Sequence, residues 1–91
     1  MKSPKRFLNL IKEESLGEVE KWLHEVSDGE CGNITNIRIE DQPKGEYQGE
    51  GEYCLQRELA TESGCYAYEG TYYHKVEDSK KYIAYDYFVY A

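Results

Sequence analysis

The sequence lacks any long apolar run, and this absence limits where we expect the protein to reside. A membrane-spanning helix needs about 20 consecutive apolar residues, and no stretch of the 91 residues approaches that length. The longest uncharged stretch near the basic N-terminus is residues 7–11, FLNLI, which is far shorter than the apolar region of a signal peptide. We therefore expect a cytoplasmic protein. Its length predicts one domain over residues 1–91, because a chain of this size supports a single core.

Cysteine is scarce, and its three positions, Cys31, Cys54 and Cys65, form an odd, unevenly spaced set that is a poor disulfide framework. With a turn at residues 60–63, Cys54 and Cys65 are expected roughly 13 Å apart along a strand ladder, too far for a bridge. No CxxC or HxxxH spacing indicates a metal site. His74 is expected on the opposite strand face from both thiols, which excludes a catalytic cysteine–histidine pair. The sequence therefore predicts no metal, no cofactor and no enzymatic activity.

Acidic residues outnumber basic ones, and their distribution is uneven. The chain carries 18 acids against 11 bases and a formal net charge of −7. Lys2, Lys5, Arg6 and Lys12 lie in the first twelve residues, which contain no acid. The rest of the chain is therefore strongly acidic. Such a body repels nucleic acid and anionic membranes and attracts basic partners.

A helical region is predicted over about residues 4–27. Ser3 and Pro4 have the order of an N-cap followed by a first-turn proline. Apolar side chains then recur in helical phase, namely Phe7, Leu8, Ile11, Val19, Trp22, Leu23 and Val26. Gly17 interrupts this stripe, and Ser15 stands three residues before Glu18, the spacing of a capping box. The region is therefore either one helix with a weak point at Gly17 or, as we favour, two consecutive segments.

From residue 33 onward the period changes from 3.6 to 2, which predicts a sheet over about residues 33–91. We expect four strands: ITNIRIE, then EYQGEGEYCLQREL with a bend at Gly49 and Gly51, then CYAYEGTYYHKV, and last KYIAYDYFVYA. Short turns between them imply an α+β fold with an antiparallel meander and the helical region packed on one face. This element order resembles that of cystatins. The resemblance does not extend to the inhibitory QxVxG loop, because YQGEGEY has glutamates where that loop needs small apolar residues.

Each strand has an apolar set of alternate residues, and we place these sets under the helices. The expected sheet core is Ile37, Ile39, Tyr53, Leu55, Leu59, Tyr66, Tyr68, Tyr72, Ile83, Tyr85, Tyr87 and Val89. The opposite face then has nothing to cover it. Exposed aromatic side chains between carboxylates are typical of a binding surface. We predict that this surface consists of Glu50, Glu52, Glu58, Glu69, Tyr73, Tyr82, Asp86, Phe88 and Tyr90.

An acidic, tyrosine-bearing surface indicates a non-enzymatic inhibitor or interaction protein that binds a basic surface of a nucleic-acid-handling protein. Carboxylates spaced along a strand occupy lysines and arginines that otherwise hold phosphates, either by mimicry or by steric block, while rings fill apolar pockets. The chain is similar in size and charge to phage-encoded anti-CRISPR and anti-restriction proteins, which would place it in the cytoplasm of the host cell. No direct binding to nucleic acid or membrane is expected.

Other readings remain open. The outer face is equally compatible with simple solvation, because antiparallel sheets often have one wet face. Dimerisation through it would set carboxylates against their own copies unless lysines neutralise them. A small-ligand or enzymatic domain is the alternative function, with a pocket between helix and curved sheet lined by Tyr66, Tyr68, Tyr72, His74 and Arg57. A structural or immunity-type partner protein, in which the acidity is incidental, is a third.

Overall fold

The computed structural model describes residues 2–27, 33–60 and 66–90. Two short helices precede five strands: α1 Phe7–Lys12, α2 Gly17–Val26, β1 Asn33–Glu40, β2 Glu46–Gly49, β3 Glu52–Ala60, β4 Tyr66–Lys75 and β5 Tyr82–Tyr90. All strands are antiparallel, in the order β1-β5-β4-β3-β2. The predicted α+β class is confirmed. The predicted count of four strands is wrong, and the cystatin-like order is not confirmed.

The helical region is broken near Gly17, as predicted. Helix α1 ends because Glu14 adopts a left-handed φ of 60°, and the N–H of Ser15 then bonds back to the carbonyl of Leu10 at 2.8 Å. This is the bonding pattern of a Schellman end. Helix α2 begins at Gly17 with no side-chain cap, so the capping box expected from Ser15 and Glu18 does not form. The break lets the two helices bury separate apolar residues.

Helix α1 begins three residues later than the sequence predicts, because Ser3 is used differently. Ser3 forms an isolated parallel bridge with Val76. Its N–H donates to the carbonyl of Lys75 at 2.7 Å, and its carbonyl accepts the N–H of Glu77 at 2.8 Å. A residue held in a strand-like bridge has no role as a helix cap. The basic N-terminus is thereby attached to the end of β4.

The fifth strand arises from a tight hairpin inside the segment that was expected to form one bent strand. Glu50 and Gly51 have φ values of 50° and 82°, and Gly49 pairs with Glu52 across them. Positive φ at both central residues is the geometry of the two-residue turns that suit twisted hairpins. Tyr47 consequently lies opposite Tyr53.

The register between β3 and β4 differs from the expected one by three residues. Cys54 lies opposite Tyr72 rather than opposite Glu69. An odd shift sends every side chain of a strand to the other face. We call the face covered by the helices the helix side and the opposite one the outer face. On β3, Glu52 and Glu58 therefore lie on the helix side, which corrects their assignment to the outer face. Cys54 lies on the same face as His74, so the prediction that these two side chains are on opposite faces is wrong.

The core between helices and sheet follows the predicted parity in the closing strand. Ile83, Tyr85 and Tyr87 are buried, and Val89 packs against them. The helices contribute Phe7, Val19 and Leu23, with Leu8, Ile11 and Trp22 at the margin. The prediction fails on β3, where Tyr53, Leu55 and Leu59 face outward, as the register requires. Cys54 packs against the core in their place.

Candidate functional site

The outer face is organised around one carboxylate, that of Asp86. Its Oδ1 accepts hydrogen bonds from Thr71 Oγ1 at 2.8 Å and from the Arg38 guanidinium at 3.0 Å, and its Oδ2 accepts one from Asn36 Nδ2 at 3.0 Å. Asn36 reaches this position because it forms a bulge in β1 with a φ of 53°. Side chains from β1 and β4 therefore converge on a single side chain of β5.

These contacts keep Asp86 and Arg38 ionised. Burial alone would raise the pKa of Asp86, but the hydrogen bonds from Asn36, Thr71 and Arg38 outweigh it and hold the pKa below its usual value. Burial likewise tends to lower the pKa of Arg38, while its bonds to Glu40 and Asp86 raise it above the ordinary value. Asp86 is thus an internally satisfied anion rather than an open acidic anchor.

The remaining charges of the outer face are also balanced. Arg57 forms a salt bridge with Glu69, Arg38 bridges Glu40 at 2.8 Å, and the Lys75 ammonium lies 4.9 Å from the ring centroid of Tyr82. Among the described residues, the pairing ladder places three acids and three bases on this face: Glu40, Glu69, Asp86, Arg38, Arg57 and Lys75. The face is therefore neutral, although the chain carries −7.

A line of tyrosine rings crosses one end of the outer face, and we call Tyr47, Tyr53 and Tyr82 the tyrosine row. Ring centroids lie 5.3 Å apart between Tyr47 and Tyr53 and 5.9 Å apart between Tyr53 and Tyr82. Tyr47 is 62% exposed, and the neighbouring Leu55 is 49% exposed. The row ends at β2, on the edge of the sheet.

Beside the tyrosine row the outer face has a shallow depression of about 470 Å³. Leu55, Arg57, Glu69, Thr71 and Asp86 line it. These residues lie away from the tyrosine row, towards the end of the sheet where β3 ends and β4 begins. Their pairings Leu55–Thr71 and Thr71–Asp86 show this. One end of the outer face therefore protrudes with rings, and the other end is recessed.

The helix side of β2 and β3 has a different character. Five polar side chains of these two strands lie on the same face of the sheet as Cys54, and three of them are acidic. We call them the acidic ledge: Glu46, Gln48, Glu52, Gln56 and Glu58. Glu52 Oε1 is 3.5 Å from the Nδ1 of buried His74. Glu46 and Glu58 are exposed and form no ion pair with any part of the chain that the structure describes. A depression of about 520 Å³ runs along the ledge.

The nine residues predicted to form one binding surface are thus divided. Glu69, Tyr73, Tyr82, Asp86 and Phe88 lie on the outer face, Glu52 and Glu58 lie on the helix side, and Glu50 lies in the β2–β3 turn. Tyr90 pairs through its backbone with Ala67, and its side chain is outside the description. The expectation of one continuous acidic and aromatic surface is wrong, because the shifted register turns β3 over.

Exposure also differs from expectation on the outer face. Tyr73 is only 4% exposed, since it lies in a central strand between Tyr53 and Ala84, so its assignment as an exposed anchor is wrong. Tyr82 and Phe88 are half-buried. Sequence reasoning missed Tyr47 as an exposed ring. The near-palindrome EYQGEGEY is the signal that indicates it, because a two-residue turn at its centre pairs the two tyrosines.

The space between helix and sheet is filled by stacked rings. His74 is 2% exposed, and its ring stacks on Tyr72 at 5.0 Å and on Tyr85 at 5.8 Å. Trp22 of α2 meets the same ring edge-on at 5.1 Å. Arg57, expected as a pocket liner here, is on the outer face. Of the predicted pocket residues, Tyr72 and His74 belong to this stack, whereas Arg57 lies on the other side of the sheet, so the predicted lining is not brought together.

Several further features bear on function. Within residues 2–27, 33–60 and 66–90, no cluster of three histidine, cysteine or acidic side chains is arranged to hold a metal ion. Neither described helix has the length and apolar character needed to cross a bilayer. Cys31 and Cys65 lie outside the described residues, so the expected absence of a Cys54–Cys65 bridge stays a prediction. Comparison with protein-family models, curated proteins and solved structures gave no match for this chain.

Proposed function

We propose that this protein is a small acidic, non-enzymatic interaction protein that binds a basic surface of a nucleic-acid-handling protein and blocks it. The observation that carries the proposal is the segregation of charge. The described outer face is neutral, whereas the helix side of β2 and β3 carries Glu46, Glu52 and Glu58 with no base on that side among the described residues of those strands. A phage-type anti-CRISPR or anti-restriction protein is the kind of inhibitor that fits this pattern.

The acidic ledge is the part of that surface best suited to lysine and arginine side chains. Glu46 and Glu58 are exposed, and Glu46 is next to Cys54 in the ladder. Glu58 is four residues further along β3, which separates the two carboxylates by roughly 13 Å. Carboxylates accept paired hydrogen bonds from a guanidinium. Gln56 lies between these two carboxylates, and Gln48 lies on the turn side of Glu46, so the ledge offers a spaced row of polar sites to cations.

The helical region adds no net charge to this field, because residues 2–27 carry five acids and five bases. The negative field of the described residues therefore centres on the acidic ledge, in a chain whose net charge is −7. A low-dielectric body with one dominant sign of charge attracts oppositely charged surfaces over about one Debye length, roughly 10 Å at 0.1 M salt. Association with the partner is therefore expected to be fast and to weaken with salt.

The placement of the reactive side chains supports a non-enzymatic role over the alternative of a ligand or enzyme pocket. His74 is sealed beneath Trp22, and the Cys54 thiol contacts the Tyr87 hydroxyl at 3.2 Å. A general base must come within hydrogen-bond reach of its substrate. His74 has no such access while α2 is packed over it.

Affinity capture tests the proposal. The tagged protein is incubated with lysate at about 50 mM and about 500 mM salt, captured proteins are identified, and a purified captured protein is titrated directly. Single-stranded and duplex oligonucleotides are added as competitors. Glu46→Gln with Glu58→Gln removes two ledge charges, and Glu77→Gln with Asp78→Asn removes two charges from the exposed β4–β5 turn as a matched control.

The expected result is a nucleic-acid-binding partner that is released by high salt and by its own nucleic acid. The ledge variant is expected to weaken binding about tenfold or more, because it removes direct contacts with the partner as well as negative charge. The turn variant removes only the negative charge and is expected to weaken binding much less. Binding that is insensitive to salt and to nucleic acid, or that is equally weakened by both variants, would overturn the proposal.

A further inference from the structure

We propose that two copies of this chain bind each other through the outer faces of their sheets. The contact is isologous, with the twofold axis parallel to the sheets and perpendicular to the strands. This inference concerns the face opposite to the acidic ledge, and it does not depend on the proposed function.

Charge selects the outer face as the one on which two copies can meet. Each chain carries −7, so acidic surfaces of two copies repel each other at short range. On the outer face the carboxylates of Glu69 and Asp86 are already paired with Arg57 and Arg38. Carboxylates neutralised by their own neighbours do not oppose an identical surface, and a patch with both signs of charge satisfies the self-complementarity that a twofold contact requires.

The composition of the outer face is that of an interface rather than of an ordinary wet sheet. Tyr47 and Leu55 are the large apolar side chains most exposed among the described residues, and both lie here together with Tyr53 and Tyr82. Tyrosine and arginine are the residue types enriched at the centres of protein contacts. Both described helices pack on the other face, so no second layer formed by residues 2–27, 33–60 or 66–90 covers these rings.

The protruding part and the recessed part of the outer face are brought opposite each other by the proposed twofold axis. The tyrosine row lies at the turn end of β3, and the depression lined by Leu55, Arg57 and Asp86 lies further along the same strands. An axis perpendicular to the strands exchanges these two ends. The row of one copy then faces the depression of the other, and the same contact is made twice.

The available area sets how much of the outer face the contact must use. The five strands are roughly 19 Å across and the ten residues of β4 roughly 33 Å long, an outline of about 600 Å². A standard interface covers about 800 Å² of accessible surface on each partner. The contact therefore uses the whole outer face with its protruding side chains and lies at the lower end of the size range of specific interfaces.

Sedimentation and light scattering test the inference on the full chain at about 1 to 200 µM, a range that spans dimers of ordinary affinity. The expected mass is twice the 10.6 kDa of one chain. Leu55→Lys places a charge in the centre of the contact, and Gln42→Lys makes the same charge change at an exposed loop residue. Arg57→Glu and Lys44→Glu form a second matched pair, in which Lys44 is exposed in the same loop.

Leu55→Lys and Arg57→Glu are expected to raise the dimer dissociation constant by at least about tenfold, and the loop controls to leave it nearly unchanged. Circular dichroism verifies that each variant is folded. A dilution series of NMR spectra provides a second readout on the unmodified protein, with shifts expected at Tyr47, Leu55 and Arg57.

A monomer at about 200 µM, or a dimer that Leu55→Lys does not weaken, would overturn the inference. A monomer whose heterologous partner is lost with Leu55→Lys would assign the outer face to another protein instead. Because the capture experiment uses ledge variants and this one uses outer-face variants, the two proposals fail independently.

Discussion

The side chain of Tyr87 crosses strand β4 directly over Gly70. The two residues are opposed in the β4–β5 ladder, and the Tyr87 hydroxyl donates a 2.6 Å hydrogen bond to Gln56 Oε1 on β3. A Cβ at position 70 would lie 2.8 Å from that hydroxyl and 2.3 Å from the carbonyl oxygen of Leu55. Glycine at this position is therefore what allows one ring to connect three strands.

Gly70→Ala is expected to destabilise the protein by about 1 to 3 kcal/mol, since an added methyl group must displace backbone as well as the Tyr87 ring. Urea denaturation of the variant and the parent measures the difference. Gly17→Ala is the matched control, because a Cβ at Gly17 meets no atom within 4 Å and alanine favours helix α2. A Gly70→Ala protein as stable as its parent would show that Tyr87 does not cross the strand in this way.

Glu14→Gly is expected to stabilise the protein by about 0.5 to 1 kcal/mol. Glu14 holds a φ of 60° after the end of α1, a conformation that glycine adopts without the steric cost of a Cβ. Thermal or urea unfolding gives the change. Glu13→Gly removes the same charge one residue earlier, where φ is −87°. A similar gain in both variants would trace the effect to charge rather than to backbone conformation.

The Asp86 network is expected to give stability a specific pH dependence. The folded-state pKa of Asp86 is depressed below its ordinary 3.8, so its stabilising contribution is present above that value and is lost as pH falls through the folded pKa. Asp86→Asn should therefore be less stable than the parent near neutral pH, and the difference should shrink in acid. Because the side chain is 38% exposed, solvent screening limits the difference to roughly 1 kcal/mol.

Free energies of unfolding between about pH 2 and 7 test this expectation, because that range spans both protonation states of an aspartate. Asp78→Asn, in the exposed β4–β5 turn, controls for the loss of one carboxylate outside the network. A gap between parent and Asp86→Asn that widens in acid would contradict the assigned hydrogen bonds.

The sequence was sufficient to predict the buried face of an element where its periodic pattern allows only one face to be buried. In β5 the alternation is uninterrupted, and a single acid, Asp86, marks the wet side. The helix break was equally readable, because Gly17 interrupts an apolar stripe that is otherwise in phase. In both places the local pattern and the packing require the same arrangement.

Strand β3 was not predictable by the same logic, for a reason of size. Helices α1 and α2 have only six and ten residues, roughly 9 and 15 Å at 1.5 Å per residue, whereas the ten residues of β4 span roughly 33 Å. Two short helices therefore cover only part of the sheet. Beyond them the helix side of β3 is exposed to solvent, so Glu58 lies there without a desolvation cost, and Leu55 faces the other way. Polarity alone does not orient such a strand.

The division of acids and tyrosines between two faces depends on the register that sets Cys54 opposite Tyr72. Cross-strand proton NOEs between the backbones of β3 and β4 measure that register most directly. We expect contacts between the opposed pairs Tyr53–Tyr73 and Leu55–Thr71. Contacts that instead join Cys54 to Glu69 would turn β3 over, return its carboxylates to the outer face and contradict both the neutral face and the acidic ledge.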